Sequence, residues 1–101
     1  MIVISGTMTC KEENFAALKA AARVVTTLSA DEEGCITYRF AEDLRSPFTL
    51  NFFEEWDSNG AVEAHKSSDH YRVFKATLAS LPEIRRDVKT YDIATKSGDP
   101  A

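Results

Sequence analysis

The feature that most constrains the fold of this chain is the spacing of its apolar residues, which switches between strand and helix periods in a fixed order along the sequence. Apolar residues recur at every second position over residues 2–9, a strand period, and at every third or fourth position over residues 11–29, a helix period. In chain order, the predicted strands and helices are β 2–9, α 11–29, β 35–41, β 48–56, α 59–66, α 67–80 and β 84–94. This β-α-β-β-α(α)-β order is typical of the split βαβ arrangement of ferredoxin-like folds.

We therefore expect an α+β domain in which a four-stranded antiparallel sheet carries its helices on one face only. Strand period places Phe52, Glu54 and Trp56 together on the helix-covered face. The opposite face mixes apolar and polar side chains, namely Val3, Cys35, Thr37, Arg39, Ala41, Asn51, Phe53 and Glu55. This mixture is too apolar to face water comfortably, so we predict a homodimer that forms through the helix-free sheet face.

Length and charge narrow the class of protein. The 101 residues fit one domain, predicted over 1–95, followed by a flexible C-terminal tail over 96–101. A net charge of −4 with scattered basic residues argues against a nucleic-acid partner. No run approaches the roughly 20 apolar residues that cross a membrane, and the N-terminus does not resemble a signal peptide. Cys10 and Cys35 are expected to be reduced thiols, as in a cytoplasmic protein.

The segment 52–74 carries most of the functional information. Glu54 lies near the end of a predicted strand, and His65 lies on the helix that follows, four residues after Ala61. If that helix face meets the sheet, the imidazole and the carboxylate converge in a pocket walled by aromatic side chains. The predicted substrate-binding walls are Phe52, Trp56, Tyr71 and Phe74. For each of these four, packing in the core is the alternative interpretation.

His65 and Glu54 are the predicted catalytic pair. Histidine titrates near neutral pH, which suits His65 to remove a phenolic or enolic proton. Glu54 would orient the ring and stabilise its cationic form, as a carboxylate does in a catalytic triad. The alternatives are a core histidine bonded to Glu54 for packing alone, or a Glu54 exposed at the strand end. His70, in the first turn of the next helix, is expected to be solvated.

No metal site is predicted. His65 and His70 are five residues apart, so on a continuous helix they would not share a face. The two cysteines lie far away in sequence, and no glycine-rich phosphate loop occurs.

Several motifs in and before this segment resemble those of the antibiotic biosynthesis monooxygenase family of dimeric ferredoxin-like proteins. The family's pattern is an E-x-W strand end, a [DE]-S-x-x-A helix start, an A-H pair and an S-x-H-[FY]-x-x-F helix. Here these are Glu54-Glu55-Trp56, Asp57-Ser58-Asn59-Gly60-Ala61, Ala64-His65 and Ser68-Asp69-His70-Tyr71-Arg72-Val73-Phe74. Upstream, Glu33-Gly34-Cys35-Ile36-Thr37-Tyr38 is similar to the family's E-x-G-C-x-x-Y start of the second strand. The resemblance covers about residues 2–93 and implies a dimeric α/β barrel.

The resemblance implies a cofactor-independent monooxygenase that oxidises a small aromatic quinol or phenol with O₂. No flavin, haem or metal is then required, because the deprotonated substrate itself reduces O₂. The haem-degrading branch of the family fits poorly, since Lys75 stands where a haem-ligating histidine is needed and the first strand has no asparagine.

Two other functions remain open. The first is an isomerase of the family's quorum-signal-processing branch, which Lys66, His70 and Tyr71 match, although Trp56 replaces that branch's tyrosine. The second is a dimeric module that binds a small molecule without catalysis.

Overall fold

A computed structural model describes residues 1–94 and 96–98 of the chain. Its elements are β1 Ile2–Thr9, α1 Glu12–Ser29, β2 Cys35–Glu42, β3 Thr49–Trp56, α2 Asn59–Lys66, α3 Asp69–Ser80 and β4 Arg85–Asp92. The predicted order of strands and helices is confirmed, and each bound lies within two residues of the predicted one. None of the helices in the described residues is long and apolar enough to span a membrane.

The four strands form one sheet in the order β2-β3-β1-β4, and every neighbouring pair is antiparallel. With three helices packed on it, this sheet gives the predicted α+β, ferredoxin-like fold. The central strand β1 pairs with β3 on one side and with β4 on the other. Side chains at paired positions share a face of the sheet. The register therefore determines which residues of β1, β3 and β4 lie next to one another on that face.

The core lies between α1 and the sheet. Leu18 and Val25 are at most 1% exposed, and Trp56 is fully buried. The helix residues follow the 3.6-residue period that predicted α1, so one stripe of that helix faces the sheet. Burying a large apolar side chain stabilises a fold by about 1.5–3 kcal/mol. This helix–sheet layer therefore supplies much of the stability of the domain.

The first residues of β2 depart from the predicted strand period. A β-bulge shifts the pairing register between Cys35 and Thr37. Cys35 consequently packs against the core, and Ile36 is 50% exposed, the reverse of their predicted faces. A bulge inserts one extra residue into a strand and so inverts the alternation before it. From Tyr38 onward the strand returns to the predicted pattern, and Tyr38 is buried.

Serine caps begin both α2 and α3. Ser58 accepts a hydrogen bond from the Ala61 amide, and Ser68 accepts one from the Tyr71 amide. Serine suits both positions, since its side chain satisfies free N–H groups at a helix start. The Ser68 hydroxyl also donates to the carbonyl of His65 at 2.6 Å. The chain therefore stops one helix and starts another within a few residues.

The predicted flexible tail falls partly outside the described residues. Residues 99–101, like residue 95, are not described. Lys96 is described, and its Nζ lies 3.2 Å from Oε2 of Glu55 on the sheet. Flexibility of residues 96–101 stays a prediction.

Candidate active site

A cavity of about 400 Å³ lies between the sheet and the two short helices. Its floor follows from the strand register, because Ile4 of β1 pairs with Glu54 of β3 on one side and with Thr90 of β4 on the other. Helix α2 contributes His65 to the lining, and α3 contributes Tyr71. The complete lining is Ile4, Glu54, His65, Lys66, Tyr71, Arg86, Val88 and Thr90.

Two other depressions have different chemistry. A groove of about 670 Å³ between α1 and α3 is mostly apolar, and a site of about 380 Å³ lies between α1 and β2. Neither is lined by both a histidine and a buried carboxylate. The cavity next to β1 brings Glu54 and His65 together, so it is the candidate active site.

His65 is the most constrained polar residue of this cavity. The residue is 2% exposed, and its Nδ1 lies 2.6 Å from Oε2 of Glu32. Its ring packs against Trp56 with centroids 4.7 Å apart and against Tyr71 with centroids 4.8 Å apart. Its second nitrogen, Nε2, is shielded from solvent and has no hydrogen-bond partner in the part of the chain that the structure describes. One ring nitrogen is thus bound to a carboxylate, and the other is free.

The carboxylate that holds His65 is Glu32, so the predicted pairing of His65 with Glu54 is wrong. Glu54 instead accepts a hydrogen bond from Nε1 of Trp56 at 2.9 Å. The reason is local, since Glu54 and Trp56 are two positions apart on one strand and their side chains project from the same face. Glu54 still lines the same cavity as His65, and its catalytic role stays a prediction.

The loop after α1 positions Glu32. Gly34 in this loop has a φ of 85°, a left-handed conformation that glycine adopts without strain. A Cβ at this position would collide with Ala61 of α2 and with Asp57, so the loop lies directly against the start of α2. The Gly34 carbonyl also accepts from the Asp57 amide at 2.9 Å. These contacts hold Glu32 beside the helix that carries His65.

Glu32 was not among the predicted site residues. A signal for it was present in the E-x-G-C-x-x-Y motif, which has one residue between the glutamate and the glycine. That spacing aligns the motif's glutamate with Glu32, whereas the segment compared above begins at Glu33. Correct alignment of the motif would have singled out Glu32 without the structure.

His70 is also placed differently from the expectation. Its side chain is 17% exposed, and its Nε2 lies 3.0 Å from the same Oε2 of Glu32 that contacts His65. Five residues of separation would place the two histidines on different faces only if one continuous helix carried both. Because His65 lies in the last turn of α2 and His70 in the first turn of α3, the turn between the helices brings their ring centroids to 6.0 Å from each other.

Burial shifts the acid–base properties of the site. Desolvation lowers the pKa of His65, an effect that Glu32 opposes in part through its hydrogen bond and charge. Desolvation also raises the pKa of Glu54 to about 7, against the hydrogen bond from Trp56. His65 is therefore the neutral imidazole at neutral pH, and Glu54 is present in both its protonated and its ionised forms.

The four predicted aromatic walls occupy different places. Tyr71 lines the cavity, and Trp56 lies behind His65 in the core. Phe52 and Phe74 are 5% and 4% exposed, and both pack against Phe40, with ring centroids 5.6 and 5.9 Å from it. These two phenylalanines do not line the cavity, which agrees with the core-packing alternative. Their part in substrate binding stays a prediction.

Cationic groups complete the chemistry of the cavity. Lys66 and Arg86 both line it. Burial raises the pKa of Tyr71, and the positive charge of Arg86 opposes that rise, as the charge of Lys66 opposes the raised pKa of Glu54. The arrangement thus combines a neutral imidazole, a carboxyl group that exchanges protons near pH 7 and two positive charges. Such a set can remove a proton from a substrate hydroxyl and stabilise the resulting anion.

Comparisons with known proteins identify relatives of this chain. The model of the family described as antibiotic biosynthesis monooxygenase matches residues 1–77. An uncharacterised protein of Synechocystis sp. is 28% identical over 93 residues, which are 92% of this chain and 63% of that protein. The chain thus spans less than two thirds of the length of this curated relative.

Solved structures are similar over nearly the whole chain. One from Deinococcus radiodurans, assigned as an antibiotic biosynthesis monooxygenase, has a TM-score of 0.90 at 22% identity and covers 100% of both chains. One from Mycobacterium tuberculosis has a TM-score of 0.87 at 22% identity and covers 96% of this chain and 98% of that one. At this level of identity the structures establish a shared fold.

Proposed function

Because the chain belongs to the antibiotic biosynthesis monooxygenase family, we propose that it is a cofactor-independent monooxygenase that oxidises a small aromatic quinol or phenol with O₂. The family supports a monooxygenase-type activity, and the cavity supports the substrate class. The observation that carries the proposal is the buried Nε2 of His65, which has no hydrogen-bond partner among the described residues and belongs to a residue that lines the cavity. A buried ring nitrogen with a free lone pair can act as a base toward a molecule that binds in the cavity.

Glu32 makes Nε2 the basic atom. An ionised carboxylate only accepts hydrogen bonds, so Nδ1 of His65 must carry the proton that it shares with Glu32 at 2.6 Å. The neutral ring then has its lone pair on Nε2, the atom without a partner. Glu32 is in this scheme a positioning residue, and its negative charge stabilises the imidazolium that forms when Nε2 takes a proton.

The proposed reaction needs no external reductant. Nε2 removes the substrate's hydroxyl proton, and the phenolate gives one electron to O₂. The aryloxyl radical and superoxide then couple at a ring carbon to form a peroxide anion, which the imidazolium protonates. Loss of the ring proton with cleavage of the O–O bond gives a carbonyl and hydroxide, and that proton turns the hydroxide into water. A phenol plus O₂ thus yields a quinone plus water.

The remaining cavity residues have supporting roles in this proposal. Glu54, with a pKa of about 7, accepts the ring proton and returns it to the leaving hydroxide. Lys66 and Arg86 favour the phenolate and the peroxide anion through their positive charges. Ile4 and Val88 supply apolar floor that keeps water from the radical pair.

Oxygen uptake with a panel of naphthols and hydroquinones tests the proposal. We expect at least one compound to consume O₂ in a 1:1 ratio with product, with one atom of ¹⁸O₂ in the product and the other in water. The protein should be active after dialysis against a metal chelator and without added flavin. Saturable binding of the panel without turnover would contradict the proposal and support a binding module.

An isomerase is the second candidate function. Two proton carriers, His65 and Glu54, line one cavity, and this arrangement serves transfer of a proton between two carbons as well as it serves oxygenation. Lys66 and Arg86 would then hold an anionic substrate. Rearrangement of a substrate under anaerobic conditions at an undiminished rate would favour this function over the first.

We also propose a homodimer that forms through the helix-free sheet face. On that face Phe53 is 39% exposed and Tyr91 is 47% exposed. Light scattering after gel filtration should give twice the 11.2 kDa mass of the chain, and Phe53→Arg should shift the protein toward the monomer. Leu44→Arg, at a fully exposed loop position, is the matched control and should leave the mass unchanged. A monomeric wild type would overturn this proposal.

A further inference from the structure

We propose that Glu32, His65 and His70 form a binding site for a divalent first-row transition-metal ion such as Zn²⁺. One ligand atom from each residue is available, and all three atoms lie within 4.8 Å of one another. The site goes beyond the proposed oxygenase, because ion binding at these side chains requires no catalysis.

The three donors are held by three separate segments. Glu32 comes from the loop after α1, His65 from the last turn of α2 and His70 from the first turn of α3. Both histidines contact one carboxylate oxygen, with Nδ1 of His65 at 2.6 Å and Nε2 of His70 at 3.0 Å from Oε2. Convergence of three segments on one atom therefore holds the three donors close together before any ion binds.

The donor set selects the class of ion. Two imidazoles and one carboxylate bind zinc, iron, cobalt and nickel ions, whereas Mg²⁺ and Ca²⁺ prefer oxygen ligands. Three protein ligands also leave a fourth position for water or another molecule. Around a tetrahedral ion, with ligand bonds of about 2.0–2.2 Å, donor atoms lie roughly 3.3 Å apart. The present hydrogen bonds of 2.6 and 3.0 Å therefore need to lengthen by less than about 1 Å.

The burial pattern favours this small adjustment. His65 is 2% exposed and fixed between aromatic rings, whereas the side chains of Glu32 and His70 are 16% and 17% exposed and can move outward. An incoming ion would reach the cluster from that more exposed side. The buried ligand is rigid and the two outer ligands close on the ion.

The free Nε2 of His65 links the ion to the cavity. A neutral imidazole that binds an ion through Nδ1 carries its proton on Nε2, and metal-bound histidines usually donate that proton to an outer acceptor. Nε2 has no hydrogen-bond partner among the described residues, and His65 lines the cavity, so we assign the acceptor role to a molecule bound there. The ion-loaded protein would then have lost the lone pair that the proposed base uses. This last consequence rests on the proposed function, but the binding itself does not.

Metal titration of the untagged, chelator-stripped protein tests the site. We expect one Zn²⁺ per chain by competition with a chromophoric chelator, and Co²⁺ should give visible d–d absorption bands. His70→Ala and Glu32→Gln should each weaken Zn²⁺ binding at least about 10-fold, since even outer-shell changes have effects of 10–100-fold. Glu33→Gln, the exposed neighbouring carboxylate, is the matched control and should bind as the wild type does. Circular dichroism verifies that each variant is folded.

The proposed site is wrong if the wild type shows no Co²⁺ bands and does not compete for Zn²⁺. It is also wrong if the His70→Ala variant binds the ion as tightly as the wild type does. A cobalt–thiolate charge-transfer band would likewise overturn it, because such a band places the ion on Cys10 or Cys35. Oxygen uptake with quinols is measured separately in the chelator-stripped protein. Failure of metal binding therefore leaves the oxygenase proposal standing, and failure of oxygen uptake leaves the metal site standing.

Discussion

Replacement of His65 by alanine is expected to lower the oxygen-consuming kcat about 10²–10⁴-fold, the range typical for loss of a general base. The variant removes the only group in the proposed scheme that takes the substrate's hydroxyl proton. Its truncation also leaves space beside Trp56 and Tyr71, whose rings pack against His65. Added imidazole should bind in that space and restore part of the rate. Oxygen-electrode assays over a range of imidazole concentrations measure both effects.

His65→Gln separates chemistry from packing. Glutamine fills more of the site than alanine and can still hydrogen-bond to Glu32, but it is not a base. We expect a loss of kcat close to that of the alanine variant, without rescue by imidazole because the space stays filled. Full oxygen-consuming activity in either variant would remove His65 from the mechanism.

Glu32→Gln tests the positioning role in the same assay. An amide keeps a hydrogen-bond acceptor for Nδ1 but removes the charge that stabilises the imidazolium, so kcat should fall and KM should change little. Glu33→Gln changes the adjacent exposed carboxylate and serves as the control. Equal loss in both glutamine variants would indicate a general effect of charge, and a rise in KM alone would indicate a role in substrate binding.

The fold was accessible from the sequence because its elements have clean periods. Leu18, Ala22 and Val25 repeat at helical spacing, and Phe52, Glu54 and Trp56 alternate as strand residues do, so packing and local preference agree. The β2 bulge was not accessible. It depends on how Cys35 and Thr37 pair with the neighbouring strand, a relation between two segments that alternation within one segment does not contain.

The candidate site was accessible only in part, for a similar reason. His65 and Glu54 were identified because both lie within one short segment whose faces follow from helix and strand periods. Glu32 contacts His65 from 33 positions away, through a loop whose path depends on the left-handed conformation of Gly34. The approach of His70 depends on the turn capped by Ser68. Contacts set by loop geometry are the ones that periodicity could not predict.

The second large expected effect is a dependence of the free energy of unfolding on pH, and it arises from Glu54. Burial raises the folded-state pKa of Glu54 from 4.5 to about 7, so the fold favours the protonated carboxyl group. Between pH 4.5 and 7 the folded chain therefore binds more protons at this residue than the unfolded chain, and its stability falls as pH rises. A difference of about 2.5 pKa units corresponds to about 3 kcal/mol at 1.36 kcal/mol per unit, reached in full above pH 7.

Glu54→Gln should remove this loss. The amide is neutral at every pH, and its oxygen can still accept the hydrogen bond from Trp56. Relative to the wild type, the free energy of unfolding of the variant should rise by about 3 kcal/mol between pH 4.5 and 8, measured by urea denaturation. The lowered pKa of His65 makes both proteins less stable as pH falls through about 6.5. This contribution is common to both and cancels in the difference between them.

Glu55→Gln is a control of opposite sign at the next position of the same strand. The hydrogen bond from the Thr37 hydroxyl, at 2.5 Å, and the nearby Lys96 lower the pKa of Glu55, so its contribution to stability is present above pH 4.5 and is lost as pH falls. Relative to the wild type, the Glu55→Gln variant should therefore lose stability as pH rises toward 4.5 and change little above it, whereas the Glu54→Gln variant gains stability between pH 4.5 and about 7. Parallel curves for wild type and Glu54→Gln between pH 4.5 and 8 would show that the carboxyl group of Glu54 ionises as freely in the folded protein as in the unfolded chain. Such a result would also remove its proposed role as a proton carrier near neutral pH.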